Sequence, residues 1–210
     1  MRSPVVMTGF AAMIIGLSGG VSFGVEEFKP LVKGEDVGQF ELVGIGPETI
    51  SIRDGEVILN GKKDGYFATK GAYSNYVLRF EWKYDRPEGL KSDTKFLGNS
   101  GLLMHIALPH KVWPKCIEAQ LLNADAGNTF AIGGSKFVGK KDAEAQKRAI
   151  KRVGEWNQQE VRCEGDSIVC TINGVEIARG KGALPASGPI GWQSEGSVVR
   201  FRKIEIKKLD

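Results

Sequence analysis

The stretch Tyr76–Tyr84 places large apolar side chains at every second position. The apolar residues Tyr76, Leu78, Phe80 and Trp82 alternate with Val77, Arg79, Glu81 and Lys83. Successive side chains of a β-strand point to opposite faces of the sheet, whereas a helix repeats every 3.6 residues. The stretch therefore predicts a strand with one buried face and one polar face.

Segments of this kind recur roughly every 8 to 15 residues, with turn chemistry between them. Asp54-Gly55 and Asn173-Gly174 are typical of two-residue hairpin loops. The chain has 28 glycines and 8 prolines, which suits many tight turns. At 210 residues it is long enough for one substantial core. We expect an all-β sandwich of antiparallel sheets in a single domain.

Residues 140–152 interrupt the strand pattern and predict one short helical insert, since most of this range lacks glycine, proline and alternation. Its cations are Lys147, Arg148, Lys151 and Arg152. They fit a solvated helix face with positive charge near the C-terminus. The alternative is a docking surface for an acidic partner.

The N-terminus has the layout of a secretory signal peptide. Arg2 precedes an apolar run at residues 5–17, and Ser22 and Gly24 are small residues suited to cleavage. We expect residues 1–24 to be removed and residues 25–210 to form the mature, exported domain, periplasmic or extracellular. An uncleaved N-terminal anchor is the alternative. No later apolar run reaches 18 residues, so stable membrane insertion is not expected after cleavage. The net charge of +4 is spread along the chain, which disfavours nucleic-acid binding.

Export permits disulfides, so the three cysteines bear on the fold. If Gly165-Asp166 forms a two-residue loop, Cys163 and Cys170 lie diagonally and are poorly placed to bond. A turn shifted by one residue would place them opposite each other. Free, buried cysteines are the favoured interpretation.

Several polar residues occur in segments that are otherwise apolar. Alternation puts Asn99, Gly101, Leu103 and His105 on one face of their strand, and Cys116, Glu118 and Gln120 on one face of the next. Burying such polar groups without partners costs about 1–3 kcal/mol each. These polar side chains therefore line a water-filled groove or form hydrogen bonds with one another.

Gln193 and Glu195 also share a face, and Arg200 and Arg202 lie on the same face if their strands are neighbours. The apolar residues of the last strand change from odd to even positions, and a bulge near Arg202-Lys203 would keep all of them on the same face. Asn157 fits either a structural turn or the groove.

The ordered set of motifs is specific although each one alone is weak. The set comprises Asp64-Gly65-Tyr66-Phe67, Tyr76–Tyr84, Asn99-Ser100-Gly101, Glu118-Ala119-Gln120, Glu155-Trp156-Asn157, Ile172-Asn173-Gly174 and the ending from Gly188 through Gln193, Glu195 and Phe201. In order and spacing it resembles the 3-keto-disaccharide hydrolase domain family over residues 28–209. The resemblance implies a concanavalin A-like jelly roll with a sugar-sized groove, export, and hydrolase activity on 3-keto glycosides. Many members carry an arginine-type residue where this chain has His105.

The chemistry of the candidate groove favours a keto sugar. Jelly-roll glucanases place two carboxylates on one strand face, but here Gln120 and Leu122 follow Glu118, so simple double displacement is disfavoured. A ketone acidifies the neighbouring C–H, so one base and one polarising group suffice. We expect Glu118 or His105 to act as the base and Glu195 to be the second carboxylate.

From the faces that these side chains share, we expect substrate binding by Asn99, Gln120, Asn157, Gln193 and Arg202. No cofactor is expected, although a divalent cation held by His105, Glu118 and Gln120 is conceivable without metal-type spacing to support it. A non-catalytic carbohydrate-binding module is the main alternative, with Trp113 and Trp156 as stacking platforms in loops.

Overall fold

The computed structural model describes residues 27–210, which form two packed antiparallel sheets and one α-helix. The nine-stranded sheet has the spatial order β10 (Lys136–Lys141), β13 (Val175–Leu184), β12 (Ser167–Ile172), β11 (Asn157–Glu164), β6 (Tyr76–Tyr84), β15 (Val199–Lys208), β4 (Glu56–Leu59) and β3 (Ile50–Arg53), with β1 (Lys29–Pro30) paired to β15. The six-stranded sheet has the order β2 (Phe40–Val43), β5 (Gly65–Thr69), β14 (Gly191–Ser194), β7 (Gly101–Met104), β8 (Cys116–Gln120) and β9 (Thr129–Ile132). The expected all-β sandwich is confirmed.

The main core lies between the two sheets and is built largely from aromatic residues. Phe67 and Trp192 of the six-stranded sheet stack with ring centroids 5.1 Å apart. Phe80 of the nine-stranded sheet meets Trp192 edge to face at 6.1 Å. Burying each such side chain stabilises the fold by about 1.5–3 kcal/mol. Trp82 and Trp192 are both buried, which confirms the inward face predicted for Trp82.

Local turn chemistry sets the hairpins as predicted. Asp54 and Gly55 both have positive φ, at 51° and 76°, and join β3 to β4. Asn173 and Gly174 likewise have positive φ and join β12 to β13. Two residues with positive φ form the turn whose twist suits a hairpin.

The hairpin of β11 and β12 decides the state of two cysteines. Glu164 pairs with Ser167, so Gly165-Asp166 is the loop. Cys163 then faces Ile168, and Cys170 faces Val161. Both are free and buried, as is Cys116. This confirms the favoured interpretation.

Two irregular features were also predicted correctly. The register of β15 shifts between Arg202 and Glu205, where Lys203 has a φ of 50°, and this is the expected bulge. The insert forms helix α1 (Ala143–Ala149), whose N-cap Asp142 accepts from the backbone amides of Glu144 and Ala145.

The predicted signal peptide at residues 1–24 lies outside the described residues. Within residues 27–210 no helix has the length and apolar character needed to cross a membrane.

Candidate functional site on the six-stranded sheet

The six-stranded sheet has two faces of different character. Its inward side chains, such as Phe67, Leu102 and Ile117, join the main core. The neighbouring residues in sequence point the other way, onto what we call the outer face. A second apolar cluster lies there, formed by Tyr66, Ala68, Leu103, Ile106 and Cys116. The outer face is therefore partly covered, and polar groups on it sit in apolar surroundings.

A loop at residues 105–115 covers part of the outer face. The hydroxyl of Tyr66 lies 3.0 Å from Nδ1 of His110 in this loop. A Cβ placed at Gly44 would lie 2.7 Å from Cγ2 of Val112, so the loop also packs against the chain end of β2. The loop begins after β7 and ends at β8, so it borders the strand that carries Glu118.

Glu118 and Gln193 converge on the outer face above Gly101. A Cβ placed at Gly101 would lie 2.1 Å from Oε1 of Gln193 and 2.6 Å from Oε1 of Glu118. Gly101 lies on β7 between β14 and β8, so only a residue without a side chain leaves room for both groups. Glu118 is 5% exposed and Gln193 is 2% exposed. The sheet thus places a buried carboxyl next to a buried amide.

Burial and a neighbouring carboxylate shape the acidity of Glu118. Desolvation, and then the negative charge of Glu195, raise its pKa from 4.5 to about 8. Glu195 itself forms an isolated bridge with Asn99. Burial raises the pKa of Glu195, a hydrogen bond from Asn99 opposes the rise, and Asp64 adds to it. Glu118 is therefore a strong carboxylate base whenever it loses its proton.

Four of the residues singled out from the sequence come together here. Asn99, Glu118, Gln193 and Glu195 lie on adjoining positions of β7, β8 and β14 or directly beyond their ends. Gln120 has the same orientation as Glu118, and it is paired with Gly101. Its Oε1 accepts from the backbone amides of Leu121 and Leu122, both at 2.9 Å, so Gln120 stabilises the chain turn after β8.

His105 does not lie on this face, contrary to the alternation prediction. It follows the end of β7 with a φ of 56°, and this left-handed backbone turns the ring inward. There it is fully buried and meets Tyr76 of the nine-stranded sheet edge to face at 5.8 Å. Burial lowers the pKa of His105, although the backbones of Pro185 and Ser74 oppose the shift. His105 is not assembled with Glu118 as a base or as part of a metal-binding trio. Among the described residues, no group of three or more His, Cys, Asp or Glu is placed to hold a metal ion.

Asn157 and Arg202 belong to the nine-stranded sheet and are also absent from the site. Oδ1 of Asn157 accepts from the Lys151 backbone amide at 3.0 Å and from Nδ2 of Asn173 at 2.8 Å, which is a structural role. Arg202 donates from Nε to Glu81 at 2.6 Å and stacks over Trp156 at 4.1 Å. Arg202 was expected to share a face with Gln193 if their strands were neighbours, and this condition is not met because β14 and β15 lie in different sheets.

Three further residues shape the site without having been singled out for it. Gly101 gave a signal, since glycine inside a strand often marks a close approach. Tyr66 and His110 gave none, because their contact joins a strand to a loop 44 residues away.

The solved structures that resemble this chain share its fold. Two Parabacteroides distasonis proteins provisionally named glycosyl hydrolases each match with a TM-score of 0.65. One is 23% identical, with 87% of this chain and all of that chain covered. The other is 18% identical and covers 87% and 94%. The Bacillus licheniformis β-glucanase matches with a TM-score of 0.54 at 10% identity, covering 90% of this chain and 100% of its own. These likenesses confirm the jelly-roll fold.

Sequence comparison gives the family. No curated protein matches the chain. The profile of the 3-keto-alpha-glucoside-1,2-lyase-like domain matches residues 27–207, nearly the whole described chain. The chain therefore belongs to the 3-keto-alpha-glucoside-1,2-lyase-like domain family, as the order of its motifs predicted.

Proposed function

We propose that this protein cleaves 3-keto-glucosides, with 3-keto-disaccharides as the substrate class, by base-driven elimination at the outer face of the six-stranded sheet. The observation that carries the proposal is the buried carboxyl of Glu118, whose pKa is raised to about 8. A carboxylate with a raised pKa is a better proton acceptor than an ordinary one, since the efficiency of a general base follows its basicity. The family membership of the chain supports the choice of substrate.

The reaction needs one proton acceptor on the protein. Glu118 as carboxylate takes the proton from C2, which the C3 ketone acidifies, and the C–H electrons form an enolate. The enolate collapses to restore the ketone, a C1–C2 double bond forms, and the C1–O1 bond breaks with its electrons going to the leaving alkoxide. Solvent protonates the alkoxide, and Glu118 returns its proton to solvent. Addition of water across the double bond then completes a net hydrolysis.

Gln193 is the proposed polarising group. Its amide lies beside Glu118 above Gly101 with Oε1 nearest to Gly101, so a flip of the amide would direct its N–H to a ketone one carbon away from the proton that Glu118 removes. A donor held in place before the reaction stabilises a developing enolate without reorganisation. Asn99 and Glu195 border the same space. The backbone bridge between Asn99 and Glu195 holds the second carboxylate near enough for its charge to act on Glu118.

The main alternative is a carbohydrate-binding module without turnover. It is supported by Trp113, which is 52% exposed in the loop that borders the outer face and offers a surface for sugar stacking. A binding module needs neither a buried carboxyl nor the glycine that makes room for it. Those two features favour an enzyme.

The deciding experiment incubates the protein with a 3-keto-α-disaccharide and with its parent disaccharide. We expect monosaccharide release only from the keto substrate, with an unsaturated product one water lighter than the hydrolysis product. In deuterated water, label at C2 of recovered substrate would report the proton abstraction. Binding of both sugars without release would support the module. Repeating the assay after EDTA treatment, with and without added divalent cations, tests the expectation that no metal is required.

Export is a separate proposal that rests on the N-terminal sequence. Expression in a bacterial host followed by intact mass measurement of the exported protein tests it. Cleavage after Gly24 is expected. Retention of residues 1–24 would support the membrane-anchored alternative.

A further inference from the structure

A second pair of polar side chains, Tyr66 and His110, lies on the outer face beside Gln193. Tyr66 on β5 pairs in register with Gln193 on β14, so the phenol adjoins the candidate site. Its side chain is fully buried, and its hydroxyl lies 3.0 Å from Nδ1 of His110. His110 is half-buried in the covering loop. The pair therefore links the floor of the face to the loop above it.

The pair is continuous with Glu118 through Cys116. Tyr66, Leu103 and Cys116 belong to one packed cluster on the outer face. The charge of Glu118 adds to the burial that raises the pKa of Cys116. Burial, with Cys116 next, raises the pKa of Tyr66 to about 12. The charge of Glu118 thus acts on the pKa of Cys116, and the charge of Cys116 acts on the pKa of Tyr66. Tyr66 and Glu118 therefore lie on one contiguous part of the outer face.

The surroundings of Tyr66 decide which atom carries the proton in its contact with His110. Its raised pKa keeps the phenol protonated, and Nδ1 of His110 is the hydrogen-bond partner of its hydroxyl. A buried phenol hydrogen without an acceptor costs about 1–3 kcal/mol, so it is donated to Nδ1 of His110. A neutral imidazole that accepts at Nδ1 carries its hydrogen on Nε2. His110 consequently presents Nε2–H as a fixed donor.

We propose that His110 contacts the sugar substrate through Nε2–H and that Tyr66 is its positioning residue, an inference that rests on the elimination proposed above. Glu118 on β8 and Tyr66 on β5 are separated by β14 and β7. Three strand spacings amount to about 14 Å, and the two side chains extend into this interval, Tyr66 over Gly191 and Glu118 over Gly101. Gly191 and Gly101 lie between them and leave room for these side chains, with Ile106 also above Gly191 and Gln193 also above Gly101. His110 then donates to an oxygen of a sugar that lies over these side chains.

The test compares kcat and KM for a 3-keto-α-disaccharide across four variants. His110→Ala removes the donor and is expected to lower kcat/KM by about 10- to 100-fold, the effect of one lost hydrogen bond to substrate. His110→Gln keeps an N–H near the Nε2 position and is expected to recover most of that loss. Tyr66→Phe leaves the imidazole unfixed and is expected to give an intermediate loss. Tyr73→Phe, a half-buried tyrosine packed against Tyr76, is the matched control and is expected to match wild type.

Nitrogen-15 NMR of the imidazole supplies a readout that does not depend on turnover. We expect the Nε2–H tautomer of His110 in wild type, a mixture of tautomers in Tyr66→Phe, and a shift of the Nε2 signal when the keto disaccharide is added. If the wild-type protein is active and the His110→Ala variant is equally active, this inference is wrong and the proposed elimination is unaffected. If the wild-type protein does not cleave the keto disaccharide, the proposed elimination is wrong. The role of His110 is then decided by whether its Nε2 signal shifts when the same sugar is added. A wild-type Nδ1–H tautomer, or no shift on titration, would refute the role of His110.

Discussion

Gln193 and Glu118 approach each other across Gly101, so that a methyl group at that position would lie within 2.1 Å of one oxygen and 2.6 Å of the other. The two side chains come from β14 and β8, which are not neighbours. Their proximity exists only because the strand between them has no side chain at this point. The pairing of base and polarising donor therefore depends on a single glycine.

Gly101→Ala is expected to lower activity on a 3-keto-α-disaccharide by about 100-fold, the scale of loss that follows when reacting groups are displaced by about 1 Å. The backbone at Gly101 does not have positive φ, so alanine causes no backbone strain there, and the clash falls on the ends of the Gln193 and Glu118 side chains, which must shift. Circular dichroism checks that the fold persists. Gly71→Ala is the matched control, because its nearest neighbour would be a Tyr73 ring atom at 4.0 Å. Full activity in a folded Gly101→Ala variant would show that the contact is irrelevant to turnover.

Glu118→Gln is expected to reduce kcat by about 10²- to 10⁴-fold, the usual contribution of a general base. The amide keeps the size of the side chain but cannot accept the C2 proton. Glu160→Gln, on β11 of the other sheet, serves as the control. Product release should be followed by mass spectrometry, and circular dichroism should show the same fold for both variants. Wild-type turnover by Glu118→Gln would remove Glu118 from the mechanism.

The same variant tests the pKa through stability. In the unfolded chain Glu118 loses its proton near 4.5, whereas in the folded protein it does so near 8. Between these values the unfolded state binds fewer protons, so the free energy of unfolding falls as pH rises, by a total on the order of a few kcal/mol. Denaturant unfolding from pH 5 to 9 should show wild type losing stability relative to Glu118→Gln. Parallel pH profiles would indicate an ordinary pKa at Glu118.

Local sequence patterns predicted the fold because its determinants are local. The alternation in Tyr76–Tyr84, the hairpin at Asp54-Gly55 and the bulge at Lys203 each depend on a few neighbouring residues. The strand that carries Cys116, Glu118 and Gln120 was also identified correctly, and it is β8 (Cys116–Gln120). These local patterns can be interpreted without knowledge of the rest of the chain.

The site was only partly predictable because its remaining determinants are not local. His105 has the expected parity, but its left-handed backbone reverses the direction of its side chain. Arg202 has suitable chemistry, but alternation does not say which sheet a strand joins. Tyr66 and His110 meet only through the path of a loop. Alternation along the sequence identifies the two faces of a strand, whereas the pairing of distant strands decides which of these faces lie together in the fold.

Arg202→Ala is expected to leave turnover of the keto disaccharide unchanged. Arg202 pairs with Glu81 and stacks on Trp156 in the nine-stranded sheet. Because the side chain is partly exposed, its loss should lower the free energy of unfolding by about 1 kcal/mol or less. Steady-state kinetics and denaturant unfolding measure the two effects separately. A large rise in KM with unchanged stability would restore the substrate-binding role that the sequence suggested.

The pH dependence of activity distinguishes Glu118 as a base from Glu118 as an acid, and Glu195 provides the control. A base works as the carboxylate, so kcat/KM should rise as pH passes through about 8. If Glu118 acted as an acid, kcat/KM would fall over the same range.

Glu195→Gln removes the charge that contributes to the raised pKa of Glu118, so the rising limb of the pH profile should move to lower pH. Burial is the larger cause, and the limb should therefore stay above the ordinary value of 4.5. Steady-state kinetics from pH 5 to 10 on both proteins measure the shift. A limb that does not move when Glu195 is neutralised would mean that the titrating base is a different group.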